Sequence, residues 1–138
     1  MRARVLVGFA VVLTAALAGL SLVPISAPSR EQVFEIPKGT WARRMAGEKK
    51  EILPDHIYLT AGVRDILVLK NRDDVPQIFG PTLMMPGQSF SLPFERPAEY
   101  QFACTAHASG QMTIVVDSYP ATPWARISWR ARDLIRRL

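Results

Sequence analysis

The sequence predicts an all-β sandwich over residues 29–121, set between an N-terminal transmembrane helix and a C-terminal amphipathic helix. Three observations predict it. Short runs alternate apolar and polar residues, as in Ser89 to Phe94, where Phe90, Leu92 and Phe94 share one face; a period of two marks a half-buried strand. Turn formers separate these runs at Ala61-Gly62, Asn71 to Pro76, Met85-Pro-Gly87 and Arg96 to Glu99. No convincing helical period occurs between residue 29 and residue 121. About seven short strands with frequent turns read as a sandwich.

Residues 1–28 form the first segment. Arg2 and Arg4 precede an uncharged run from Val5 to Val23, nineteen residues long. A cleavable signal has an apolar region of about 7–15 residues and a spanning helix needs about 20. The length favours a retained anchor over a cleaved signal peptide. Ala16-Leu-Ala18 is an acceptable cleavage site, but a cut there leaves Leu20, Leu22 and Val23 exposed. Under either reading the arginines stay inside and the domain is exported to the extracytoplasmic side, periplasmic or extracellular.

Within residues 29–121 the strands follow in order. Gln32 to Pro37 is the first, and Trp41 to Lys50 is a surface loop or one helical turn. Ile57 to Thr60 is short, and Asp65 to Lys70 is apolar enough for a central, buried position. Gln77 begins the next strand, and Ser89 to Phe94 follows. Glu99 to Cys104 and Met112 to Val116 are the last two.

Residues 122–138 read as a basic amphipathic helix. Thr122 is the N-cap and Pro123 takes the first helical position. At 100° per residue Trp124, Ile127, Ala131, Leu134, Ile135 and Leu138 share one face, with five arginines on the rest. Such a helix lies on a membrane surface, docks in a partner's groove or packs on its own chain.

The net charge of +5 belongs to the ends. Residues 29–121 carry ten basic and eleven acidic side chains, so the domain has no basic excess for phosphate contacts. Nucleic acid is excluded as the partner of the domain. A membrane surface or an acidic partner suits the tail.

Chemistry concentrates in Cys104-Thr-Ala-His107-Ala-Ser-Gly-Gln-Met112, which holds the one cysteine and one of two histidines. A thiolate, an imidazole and a thioether on one loop between two strands form a soft donor set suited to copper. The plain alternative is a buried, inert cysteine. A cysteine hydrolase is not expected, because no separate base and orienting group accompany the pair. Zinc is not expected either, since Cys104, His56 and His107 are too few for a four-ligand structural site. Phe79, Leu83, Met84 and Met85 are candidates for an apolar rim around the site or for ordinary core.

The chain resembles the cupredoxin family of small blue-copper proteins over residues 52–117. Four features carry the resemblance: the spacing Cys104-x2-His107-x4-Met112, the turn Ala61-Gly62 leading into Ile66 to Leu69, the loop Asn71 to Pro76, and the turn Met85-Pro-Gly87. The resemblance implies a Greek-key β-sandwich holding one copper ion through Cys104, His107 and Met112, for electron transfer or copper handling. It departs at one position: Gln77 stands where the family places its first histidine ligand. Three arrangements are compatible with that departure. Gln77 or water completes the site, His56 approaches it, or the fold persists without copper. Two functions follow. One is a membrane-anchored copper protein with a redox partner protein. The other is a copper-free interaction module, an accessory subunit of a membrane complex. Neither is an enzyme.

Overall fold

The computed structural model describes residues 2–137, with side chains over residues 7–136. It forms two compact units, one of Ala27–Tyr119 and one of the two ends of the chain.

The first unit is a sandwich of two three-stranded sheets. In one, β1 (Glu31–Ile36) runs parallel to β3 (Ile66–Asn71), which pairs antiparallel with β6 (Ser89–Pro93). In the other, β2 (His56–Thr60) runs parallel to β8 (Gln111–Asp117), which pairs antiparallel with β7 (Ala98–Ala103). The chain passes repeatedly between the sheets, as a Greek-key path requires. A hairpin of β4 (Gln77–Phe79) and β5 (Thr82–Met84) completes it, joined to the end of β7 by a bridge between Phe79 and Cys104. The expected strands are present to within a residue or two. β5 was not expected: three residues are too few to show a period. Of the segment Trp41 to Lys50, expected as a surface loop or one helical turn, the first part is helical, in α2 (Thr40–Met45).

The two sheets meet in one core. Ile36, Leu67 and Leu69 from the first face Ile57, Leu59, Met112, Ile114 and Val116 from the second, all buried. Full burial of such a side chain contributes about 1.5–3 kcal/mol. Exposed ion pairs such as Lys38–Asp74 contribute about 0–1 kcal/mol, so the core decides the fold. The alternation in β8 is as the sequence predicts, with Met112, Ile114 and Val116 inward. Gly80 closes the β4–β5 hairpin at φ +55, and a Cβ there would meet Phe102 Cδ1 at 2.8 Å. Only glycine fits both the backbone and the space.

The second unit pairs α1 (Arg2–Leu22) with α3 (Pro123–Arg137). Thr122 caps α3 as expected, accepting the Ala125 N–H on Oγ1 at 3.2 Å. Arg126 donates to the carbonyls of Ser21 (3.2 Å) and Leu22, and Arg130 to those of Leu20 and Val23 (2.9 Å to Val23). The last carbonyls of a helix lack intrahelical partners and carry partial negative charge, so guanidinium groups suit them. α3 therefore meets α1 through its arginines, while Trp124, Leu134 and Ile135 of its apolar face stay exposed. Leu138 of that face lies outside the described residues. Val7, Phe9, Val12, Leu13 and Leu17 of α1 are exposed as well. Among the described residues no helix is long and apolar enough to cross a membrane. The side chains of Val5 and Leu6, which begin the expected span, lie outside those described.

Candidate metal centre

The loop from Cys104 to Met112 joins β7 to β8 as expected. Cys104 N–H donates to the Gly110 carbonyl (2.9 Å) and Gly110 N–H to the His107 carbonyl (3.1 Å), which closes the loop tightly. Cys104, Met112 and Met84 are buried in the core cluster together with Phe79. Burial pushes the Cys104 thiol pKa up; backbone N–H groups of Ala106 and His107 oppose this, and the charge of Glu51 adds to it. Without a metal the side chain is a thiol at neutral pH.

Gln77 occupies the expected position at the start of β4 and is buried. Both ends of its amide are engaged. The Thr105 hydroxyl donates to Oε1 at 2.7 Å, and Nε2 donates to Asp73 Oδ2 at 3.1 Å. Thr105 Oγ1 also accepts the Ile78 N–H at 2.9 Å, and Thr105 N–H donates to the Ile78 carbonyl at 3.1 Å.

Asp73, also buried, extends the network. Its carboxylate accepts the Gly39 and Trp41 N–H groups, each at 2.8 Å, and thereby caps α2 from more than thirty residues away. Burial pushes the Asp73 pKa up, but the N–H groups of Trp41, Asp74 and Gly39 and the Gln77 amide outweigh it, and the net direction is down. Asn71, fully buried, holds the same loop: Nδ2 donates to the carbonyls of Val75 (2.9 Å) and Met84 (3.0 Å), and Oδ1 accepts the Asp73 N–H (3.0 Å). A continuous hydrogen-bonded chain thus runs from α2 through Asp73 and Gln77 to Thr105, the residue beside the cysteine.

His107 is buried with its side chain 3% exposed. Its Nδ1 lies 2.9 Å from Ser109 Oγ, whose hydroxyl is 3.1 Å from the Gln111 carbonyl. Its Nε2 lies 3.0 Å from Asp55 Oδ1 and 3.5 Å from Glu51 Oε2, yet makes no hydrogen bond. Both close ring-nitrogen contacts are thus with other groups of the loop and of the segment before β2. His56 does not complete a copper plane: its ring stacks with Tyr58 (centroids 6.3 Å apart) on the exposed face of β2.

This donor set does not fit a blue-copper centre. Among the described residues no second imidazole reaches the loop, both ends of the Gln77 amide are spent on Thr105 and Asp73, and the His107 ring nitrogens face Ser109 and two carboxylates. The rim expected around the site is divided. Phe79 and Met84 are core, whereas Leu83 and Met85 are exposed, together with Ile78 directly across from Leu83. Glu51 and Asp55 went unrecognised in the sequence, where they lie more than fifty residues from His107. The parallel pairing of β2 with β8, which sets His56 beside Thr113, brings them there, and no local pattern announces it.

No family model matches the chain, and no curated protein matches it. Among solved structures the chain is similar to a purple cupredoxin from Nitrosopumilus maritimus, at 17% identity and a TM-score of 0.46, over 62% of this chain and 98% of that one. It is also similar to amicyanin from Paracoccus versutus, at 17% identity and a TM-score of 0.45, over 69% of this chain and 92% of that one.

Proposed function

We propose that this chain is a cupredoxin-like module held at the outer face of a membrane, where it acts without a blue-copper centre as a non-enzymatic subunit of a membrane complex. One observation carries the reading: Gln77, at the position of the family's first ligand, spends both amide atoms on Thr105 and Asp73. The position serves the fold in place of the metal. Attachment to the membrane is supported by the apolar, exposed side chains of α1 and by the exposed apolar face of α3. Arg2 and Arg4 favour an inside N-terminus and an outside domain.

A second reading, one copper ion bound for electron transfer or copper handling, is favoured by the burial of Cys104 and Met112 in one cluster with Met84. Soft sulfur donors suit Cu(I). Purification of the full chain from membranes in mild detergent, with copper in the growth medium, separates the two. The proposal expects a stoichiometric partner and far less than one copper per chain. A copper-loaded monomer would contradict it.

A further inference from the structure

At the outer edge of the cysteine loop one buried ring nitrogen, His107 Nε2, is left out of the fold's hydrogen bonding. Three donor atoms converge there: His107 Nε2, Asp55 Oδ1 and Glu51 Oε2, all within 4.8 Å of one another. The carboxylates alone would be unremarked, as Asp55 is 72% exposed. The histidine is the informative member. It is almost wholly buried, and its Nε2 points between two carboxylates without hydrogen-bonding to either.

The other side of the ring is held by Ser109. Nδ1 lies 2.9 Å from Ser109 Oγ and 3.4 Å from the Ser109 N–H nitrogen, and Oγ is 3.1 Å from the Gln111 carbonyl. In the Nδ1–H tautomer Nε2 presents a lone pair to two anionic oxygens, an arrangement that a shared cation relieves. A hydrogen bond from the second ring nitrogen is also what fixes the tautomer and orientation of a metal-binding histidine. Glu51 is oriented in turn, accepting the Ala108 N–H on Oε2 at 3.2 Å.

The spacing suits a small divalent ion. Zinc bonds to nitrogen and carboxylate oxygen of about 2.0–2.1 Å at tetrahedral angles place neighbouring donors about 3.3–3.4 Å apart. The two nitrogen–oxygen separations, 3.0 and 3.5 Å, bracket that value. One imidazole and two carboxylates leave a fourth position for water or a partner's ligand. The exposed Asp55 side chain opens the site to solvent, and a surface cleft lined by Arg44, Lys49, Glu51, Ala108 and Ser109 borders it at Glu51. Cysteine and histidine alone are too few for zinc in this chain; Glu51 and Asp55 supply the further ligands.

We propose that His107, Asp55 and Glu51 form a binding site for a divalent cation of the zinc class, separate from Cys104 and open at one coordination position. It rests on the reading above in one respect, that His107 is not committed to copper. The test is a zinc titration of the full chain in detergent by calorimetry, with cobalt as a spectroscopic substitute. One zinc per chain is expected. Asp55→Asn and Glu51→Gln should each weaken it at least tenfold, Ser109→Ala should weaken it about tenfold, and Cys104→Ser should leave it unchanged. Asp55 is exposed, so Asp55→Asn keeps the fold, which near-UV circular dichroism checks. Absence of zinc uptake by the parent overturns the proposal. So does uptake indifferent to both carboxylate variants, or a cobalt spectrum with a thiolate band that Cys104→Ser removes. A copper(II) thiolate band would instead defeat the copper-free reading, whatever the zinc result.

Discussion

Thr105 and Gln77 are joined by a 2.7 Å hydrogen bond between hydroxyl and amide, and this bond fastens the cysteine loop to the start of β4. Thr105 Oγ1 is at the same time the acceptor for the Ile78 N–H. Two segments that are 28 residues apart are therefore locked together by side chains.

Gln77→Ala should destabilise the protein by about 1–3 kcal/mol, because it removes a buried hydrogen bond to a carboxylate and a part-buried one from Thr105. Thr105→Val should cost about 1–2 kcal/mol, since the Ile78 N–H loses its acceptor. The double variant should cost less than the sum, with a coupling of about 0.5–3 kcal/mol. Urea unfolding of the three variants measures this, and simple additivity would separate the two residues.

Acid should loosen the same region. The folded-state pKa of Asp73 is below its ordinary value, so the stability it contributes is present above the unfolded pKa of about 3.9 and is lost as pH falls through the folded value. Asp65 behaves alike, lowered first by its hydrogen bond from Arg30, against burial. The urea midpoint should stay nearly level from pH 7 to about 5 and then drop below about pH 4. Asp73→Asn should be less stable at pH 7 and show a shallower drop.

Gly80→Ala should be disruptive out of proportion to its size. The left-handed backbone costs about 1–2 kcal/mol for a residue with a Cβ, and that Cβ would press on Phe102 at 2.8 Å. A loss of at least 2 kcal/mol, read from the thermal midpoint, is expected. Gly87→Ala, where the space around the Cβ is open, should show the backbone cost alone.

Much of this was legible in the sequence because it depends on local patterns. The inward faces of β6 and β8 follow from alternation, the turn at Met85-Pro-Gly87 from its residues, and the Thr122 cap from its place before Pro123. What the sequence hid is long-range. Asp73 caps a helix thirty residues away, and nothing near Gly39 announces it. Gln77 stands out in the sequence only against the cupredoxin pattern the chain resembles, and its two partners are set by the pairing of β4 with the cysteine loop. Glu51 and Asp55 look like solvated charges until the parallel β2–β8 register places them on His107. Phe79 and Met84 were equally suited to rim or core, and only the sheet packing assigns them to the core.

The most direct test of the central claim is a visible absorption spectrum of the full chain in detergent, titrated with Cu(II) beside Cys104→Ser. With Gln77 bound to Thr105 and Asp73, the parent should show no intense thiolate-to-copper band. An intense band in the parent that disappears in Cys104→Ser would contradict the account and restore this loop as a working copper centre.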